Sequence, residues 1–415
     1  MGPARVVAAA CALAACLSVL APSAQAAPSV RFGIQDDAWL EFGPGRLTDR
    51  VRKLDALGLD VVRITLHWHR TELVPGRFDW RRSDRLLNAL DLRGLDPLVT
   101  IWGTPEWASD GPPNASPRRA VDVYRFAREA ADRYPFVRDW TIWNEPNKAI
   151  WLNPASPVDY VSRILNPGYR GIKAANPLAR VAGGVTAPRG GQNGMPPVDF
   201  IRAMDRAGAR LDAYAHHPYP EYPGDTPTSG GCKNCKTISM STLERLLREV
   251  GRAFPKAPIW LTEYAYQSTP DPVGVTPERQ ARFVAEAAHR VYAAPKVEML
   301  VHYLYRDEPD LARWQSGLET VEGDPKPALL ATMLPLTQTS RSGSSTTLWG
   351  QIRPGDGPQQ YDLQILANGT WTSLGGVRPT SARGYFQRTV RASKGARLRI
   401  WYPARGLTSP TLVVM

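Results

Sequence analysis

From Ser29 to about Leu336 the chain alternates short β-rich runs with amphipathic helical stretches, and this alternation narrows the possible folds more than any other feature. The candidate strands are Val30–Ile34, Asp60–Leu66, Pro97–Trp102, Asp139–Trp143, Arg180–Val185, Leu211–His216, Pro258–Thr262 and Val297–Tyr303. Helical patterns follow them, among them Leu47–Leu57, Arg82–Leu92, Ala120–Arg133, Thr242–Phe254, Pro277–Tyr292 and Pro327–Leu334. Gly58 and Gly94 stand where helices end, Ser241 and Thr276 where helices begin. Eight strand–helix units in about 300 residues fit a (β/α)8 TIM barrel in number and size. A doubly wound sheet would want a glycine-rich phosphate turn after its first strand, and Phe32-Gly-Ile-Gln-Asp-Asp37 does not supply one.

After Gln338 the texture changes. Thr339-Ser-Arg-Ser-Gly-Ser-Ser345 reads as a polar linker over 339–346, followed by short alternating strands that predict a small β-sandwich over 347–415. Asn368-Gly369 between two of those strands is a type I′ hairpin signal. Trp349, Trp371 and Trp401 serve either as the core of this domain or as a carbohydrate-binding face. The barrel is expected over 28–338. Residues 1–27 read as an export signal: Arg5 precedes an apolar run, Val6 to Leu20, and the small residues Pro22-Ser-Ala-Gln-Ala-Ala27 offer a cleavage site after Ala26 or Ala27. Leu13-Ala-Ala-Cys16 also resembles a lipoprotein box that would anchor the chain through Cys16. No other stretch approaches the ~20 apolar residues that span a bilayer.

The formal charge of +12 raises the question of nucleic acid, but only nine of the 51 basic residues are Lys and the Arg are spread through most of the expected helices rather than blocked. Counterion release needs a clustered patch, so no nucleic-acid partner is expected, while attraction to acidic polymers or an anionic cell surface stays open. A secreted monomer is the expectation. Removal of the signal leaves Cys232 and Cys235, in Gly230-Gly-Cys-Lys-Asn-Cys-Lys236. A Cys-x-x-Cys serves as a redox centre, half a zinc site or a loop-stapling disulfide. With no second pair to complete four zinc ligands, and with export favouring oxidation, the disulfide is the expected form.

Two carboxylates carry the chemistry. Glu145 ends the fourth strand in Asp139-Trp-Thr-Ile-Trp-Asn-Glu-Pro-Asn147, and Glu263 the seventh in Ile259-Trp-Leu-Thr-Glu-Tyr264. In a barrel both reach the C-terminal mouth, where catalysis in this fold takes place. A pair of carboxyls there points to glycosidic-bond hydrolysis, and a retaining mechanism needs them about 5–5.5 Å apart. One must stay protonated and the other ionised. Glu145 lies near Trp140, Trp143 and Trp151, where desolvation is expected to raise its pKa. Arg63, a charge inside the apolar run Val61-Val-Arg-Ile-Thr65, needs a partner, and Glu263 is the natural one.

The chain resembles the clan A glycoside hydrolases, families thirty-nine and five in particular, over roughly residues 30–336. The residues that carry the resemblance are Asn144-Glu145-Pro146, the Glu263 strand, Arg63, His217-Pro-Tyr219 and the closing Gly317-Leu…Lys326-Pro-Ala328. The resemblance implies that Glu145 is the acid/base, Glu263 the nucleophile, and Asn144 a ligand of the sugar 2-hydroxyl. It also implies that Tyr219 contacts the nucleophile and that His217 lies near the acid/base. The eighth strand, which in many such enzymes ends in Trp, here offers Tyr303 and Tyr305.

His67-Trp-His69 and His216-His217 bring to mind metal-dependent barrel hydrolases, but those carry their His-x-His pair on the first strand and here it follows the second. His67 is expected as a sugar ligand or a supporting group, and Trp102 and Trp107 as walls on which sugar rings stack. The Pro- and Gly-rich segment from Pro218 to Thr237 should form a loop at the rim of the cleft. The expected protein is therefore an exported retaining β-glycosidase acting on an oligosaccharide or polysaccharide, with neither metal nor cofactor. A catalytically silent carbohydrate-binding barrel and a metal-dependent hydrolase are the alternatives.

Overall fold

All eight expected strands form and close on themselves. In the computed structural model, which describes residues 29–415, β1 (Arg31–Gln35), β2 (Val61–His67), β3 (Asp96–Trp102), β4 (Asp139–Ile142), β5 (Arg180–Thr186), β6 (Ala213–His216), β7 (Ile259–Tyr264) and β8 (Val297–Tyr303) pair in parallel in chain order to make a closed barrel. The export-signal and lipoprotein-box readings fall on residues outside those described.

The inward face of the barrel explains where chemistry can sit. Val61, Leu98, Ala182, Ala213, Trp260 and Met299 belong to an apolar cluster of their own, separate from the main core. Side chains two residues further along a strand return to the same face. Val61 is thus followed by Arg63, Leu98 by Thr100 and Trp260 by Thr262, a buried polar layer stacked on the apolar one towards the C-terminal mouth. The helices form the outer ring through apolar stripes. Helix Ala120–Arg133 buries Val123, Phe126, Ala127, Ala130 and Ala131 at helical spacing. Thr276 caps helix Pro277–Tyr292 through its side chain, and Gly58 and Gly94 adopt the left-handed conformation just past helix ends. The cap expected at Ser241 is instead made two residues earlier. The side chain of Ser239 forms a capping box with Thr242, because the chain enters helix Leu243–Ala253 through a short 3-10 turn.

The C-terminal residues fold as two antiparallel sheets. One is β9 (Leu336–Ser342), β10 (Ser345–Gln351) and β14 (Tyr385–Arg391). The other is built on β11 (Gln360–Ala367), β12 (Thr370–Ser373) and β15 (Arg397–Tyr402) with short strands added. Asn368 and Gly369 both have positive φ in the β11–β12 turn, as a type I′ hairpin requires. The expected linker at 339–346 is not a linker. Most of it lies in the β9–β10 hairpin, where Ser340, Arg341 and Ser342 are exposed, so their polarity marks an edge strand facing water. Nor does the domain hang free, because one hydrophobic core runs from the barrel helices into it. Trp349, 1% exposed, packs against His289 and Tyr292 of helix Pro277–Tyr292, which makes it core and not a sugar platform. The buried guanidinium of Arg353 stacks 3.9 Å from the Phe32 ring centre and donates to the carbonyl of Thr332, tying sandwich to barrel.

The closing segment contains a buried ion pair. Lys326 Nζ donates to both oxygens of Asp307 at 2.9 Å, the two side chains being 4% and 2% exposed. Asp307 also accepts from the Gly317 amide. Lys326→Met would leave a carboxylate buried without its cation, and a loss of about 3 kcal/mol or more is expected in denaturant unfolding. A change under 1 kcal/mol would mean that water reaches the pair.

Candidate active site

Backbone irregularities, not the regular strands, aim the two carboxylates. β7 carries an extra residue relative to β8, the register slipping between Leu261 and Tyr264. Such a bulge turns Thr262 and Glu263 towards the mouth together, although neighbours on a regular strand would face opposite ways. On the other side, β4 ends at Ile142, and the turn that follows places Trp143 and Glu145 at φ +75° and +39°. These values are rare for residues with a Cβ and persist only when the surroundings impose them. Here the Glu145 amide donates to Val185 O (2.9 Å), the Trp143 indole to Trp151 O (2.8 Å), and the fully buried Asn147 side chain accepts from the Ala187 amide (2.8 Å).

Arg63, 1% exposed, is the hub. Its Nε donates to Thr100 Oγ1 (2.9 Å), one Nη to Gln35 Oε1 (2.6 Å) and to Glu263 Oε1, and the other Nη to Asn144 Oδ1 (3.0 Å). One guanidinium thus joins β1, β3, β7 and the turn after β4. Because the Asn144 oxygen is taken, its amide NH2 is the group left to donate to a bound molecule. Glu263 Oε2 accepts from Tyr219 OH at 3.0 Å, which leaves the carboxylate held at both oxygens. Burial, reinforced by the Glu263 charge, pushes the Tyr219 phenol well above its ordinary value, so it remains a donor.

His217, fully buried, bridges the pair: Nδ1 lies 3.1 Å from Glu145 Oε1 and 3.5 Å from Glu263 Oε2, and Nε2 3.1 Å from Thr262 Oγ1. Facing two carboxylate oxygens, Nδ1 is the nitrogen that carries the proton. That hydrogen bond decides the Glu145 protonation state. Burial raises the Glu145 pKa, as expected of its tryptophan-rich surroundings, but donation from His217 and the Lys148 ammonium 3.6 Å away outweigh it. The carboxyl therefore sits below its ordinary value, the reverse of the sequence expectation. If Glu145 must be protonated to act, kcat/KM falls on the alkaline side as it ionises, and Lys148→Met moves that limb to higher pH. A limb that stays in place would show that Lys148 does not act on Glu145.

Two aromatic groups flank the carboxylates. Trp102 meets Trp151 edge-on at 5.4 Å and Trp143 at 6.3 Å beside Glu145. Tyr219, Tyr303 and Trp314 cluster beside Glu263, with Tyr219 to Trp314 at 4.9 Å. Trp107, expected as a wall, is packed elsewhere. Its indole donates to Glu72 O, its ring meets Trp68 edge-on, and Arg125 lies over it. His67 stands beside Trp102 with Nδ1 closed off and without a hydrogen-bond partner, and burial lowers its pKa to about 3. It reaches neither carboxylate. Gln35, Thr100, Thr262, Lys148 and Trp314 went unnoticed in the sequence. A Gln in the apolar run Arg31–Gln35 and a lone Trp in the polar loop after β8 were the available signals.

Among the described residues the only group of three or more potential metal ligands in mutual reach is Glu145, His217 and Glu263, with donor atoms within 4.8 Å of one another. Arg63 and Lys148 already place positive charge against both carboxylates, so a divalent ion there would face two cations. His216 cannot help: its ring nitrogens are engaged by Thr186 Oγ1 and Ile238 O.

No protein-family model and no curated protein matches the chain. Solved structures do. A family 39 glycoside hydrolase from the gut symbiont Bacteroides cellulosilyticus WH2 superposes with a TM-score of 0.64 at 18% identity, over 88% of this chain and 80% of its own. The chain shares the fold of a glycoside hydrolase. A GH39 enzyme from Xanthomonas axonopodis pv. citri follows at 0.60 and 17%, covering 93% and 94%. A glucosidase from Croceicoccus marinus gives 0.59 at 11%, covering 89% and 94%. The last two share the fold through nearly their whole length, sandwich included.

Proposed function

We propose that the protein is an exported retaining β-glycosidase in which Glu263 attacks the anomeric carbon while Glu145 protonates the leaving oxygen. The observation that carries this reading is the approach of the two carboxyl groups, one oxygen of each lying within 4.8 Å of one of the other's. Inverting enzymes hold theirs about 6.5–9.5 Å apart to fit a water between them. Glu263, fixed by Arg63 and Tyr219, presents an oriented anion. Glu145 has no hydrogen bond to Arg63; His217 and Lys148 hold its pKa down, so it acts as the acid through the fraction protonated on the acid side of the pH profile. Attack by Glu263 gives a glycosyl ester and removes its negative charge. Glu145, having given its proton to the leaving oxygen, is now a carboxylate and takes a proton from the water that cleaves the ester. Asn144, through its free amide NH2, donates to the 2-hydroxyl and holds the ring in line with Glu263.

Export rests on the pattern of residues 1–27 and on the Cys232–Cys235 disulfide, which forms in the structure and persists in oxidising compartments. No helix among the described residues is long and apolar enough to cross a membrane. The substrate is a carbohydrate, in keeping with the fold shared with glycoside hydrolases. Hydrolysis of a panel of aryl β-glycosides, followed by proton NMR of the first-formed sugar, tests the mechanism. The β-anomer is expected first. Initial release of the α-anomer would contradict a retaining reaction.

A further inference from the structure

A pocket of about 220 Å3 opens beside the reacting centre, and its composition is not that of a neutral sugar site. Tyr219, whose hydroxyl holds Glu263, forms one wall; Trp314 and the half-exposed Tyr222 add aromatic faces. Arg189, in the loop after β5, supplies a guanidinium whose hydrogen-bond partner in the structure is the Glu221 carbonyl at 3.3 Å, and no carboxylate pairs with it among the described residues. Glu221, its acidic neighbour in the lining, is committed elsewhere: Oε2 accepts from the Cys232 amide (2.9 Å) and from Thr237 Oγ1 (3.2 Å).

The wall is also built to hold its shape. The buried Asp225 carboxylate accepts from the amides of Glu221, Tyr222 and Gly231, and the Cys232–Cys235 bridge closes the segment behind them. A preformed site with an uncommitted planar cation and aromatic faces suits a ring that carries a negative charge, since Arg meets carboxylate and sulfate oxygens in a two-pronged fashion. The net charge of +12 draws such polymers to the protein from a distance. We infer that this pocket is a subsite for a sugar bearing a carboxylate or sulfate, with Arg189 as the ligand of that group, so that the substrate is an acidic glycan. The inference rests on the glycosidase reading above.

Binding by the full chain carrying Glu145→Gln, measured by titration calorimetry, tests it. The probes are chondroitin sulfate, unsulfated chondroitin and β-1,4-linked mannuronan, the last two each with its carboxyl-reduced neutral form. The acidic polymers should bind about tenfold or more tighter than the neutral ones, and adding Arg189→Gln should abolish the difference. Whether sulfated or unsulfated chondroitin binds better tells which anion the pocket takes. Equal binding of acidic and neutral forms, or no binding of any acidic polymer, overturns the inference. So does an equal loss on Arg391→Gln, an exposed arginine of β14, which would leave only surface charge at work. Turnover of aryl glycosides, neutral and uronic, by the unmodified protein is the separate control: if all are inert, the glycosidase reading fails, whatever the binding shows.

Discussion

Glu263→Ala should lower kcat/KM on an activated aryl β-glycoside by roughly 10⁴-fold or more, while the fold survives. The loss is of that order because the covalent route disappears, not one of several equivalent contacts. The fold should survive at lower stability: Arg63 retains Gln35, Thr100 and Asn144 as neutral acceptors but loses its charge partner. Azide sharpens the result. A small anion can enter the space left by the carboxylate and attack the same face of the sugar, giving a glycosyl azide of inverted configuration. Near-normal turnover in the variant would remove Glu263 from the mechanism.

Arg63→Met should be less damaging in activity but more damaging in stability. Removing the cation leaves Glu263 buried without its charge partner, the situation in which a broken ion pair costs about 3–5 kcal/mol. It also frees Asn144, so the proposed sugar ligand and the proposed nucleophile lose their alignment together, and kcat/KM should fall at least about 100-fold. Arg63→Lys should rescue little. An ammonium on a flexible stem cannot donate at once to Thr100, Gln35, Glu263 and Asn144, which the planar guanidinium reaches in fixed directions. Thermal unfolding and kinetics on the two variants separate the effects. Wild-type kinetics in the Lys variant would reduce Arg63 to a source of charge.

The barrel was legible because its evidence is periodic: apolar runs with β-branched residues, helices with stripes, glycines past helix ends. Glu145, Glu263 and Arg63 stood out because a charge beside or inside an apolar strand needs a reason to be there. What the sequence hid lies in backbone detail and in long-range pairing. Nothing in Leu261-Thr-Glu-Tyr264 announces the bulge that brings Thr262 and Glu263 to one side, and Trp143 and Glu145 are not residues that signal positive φ. The depressed Glu145 pKa depends on a histidine nitrogen from β6's far end, and tryptophan-rich surroundings alone pointed the other way. Trp107 and Trp314 are alike as sequence; only packing sends the first against Glu72 and Arg125 and the second to the site. The polar run at 339–346 resembled a linker because an exposed edge strand and a loop make the same demand on side chains.

The most direct test is to trap the intermediate. A 2-deoxy-2-fluoro β-glycoside with a good leaving group slows both steps, the second more, so the covalent ester should accumulate and inactivate the protein with time. Mass spectrometry of the digested protein should then place the fluorosugar on the peptide containing Ile259–Tyr264, with Glu263 as the modified residue. A label on any other residue, or unmodified protein together with release of the inverted anomer, would contradict the assignment of Glu263 as nucleophile and Glu145 as acid and base.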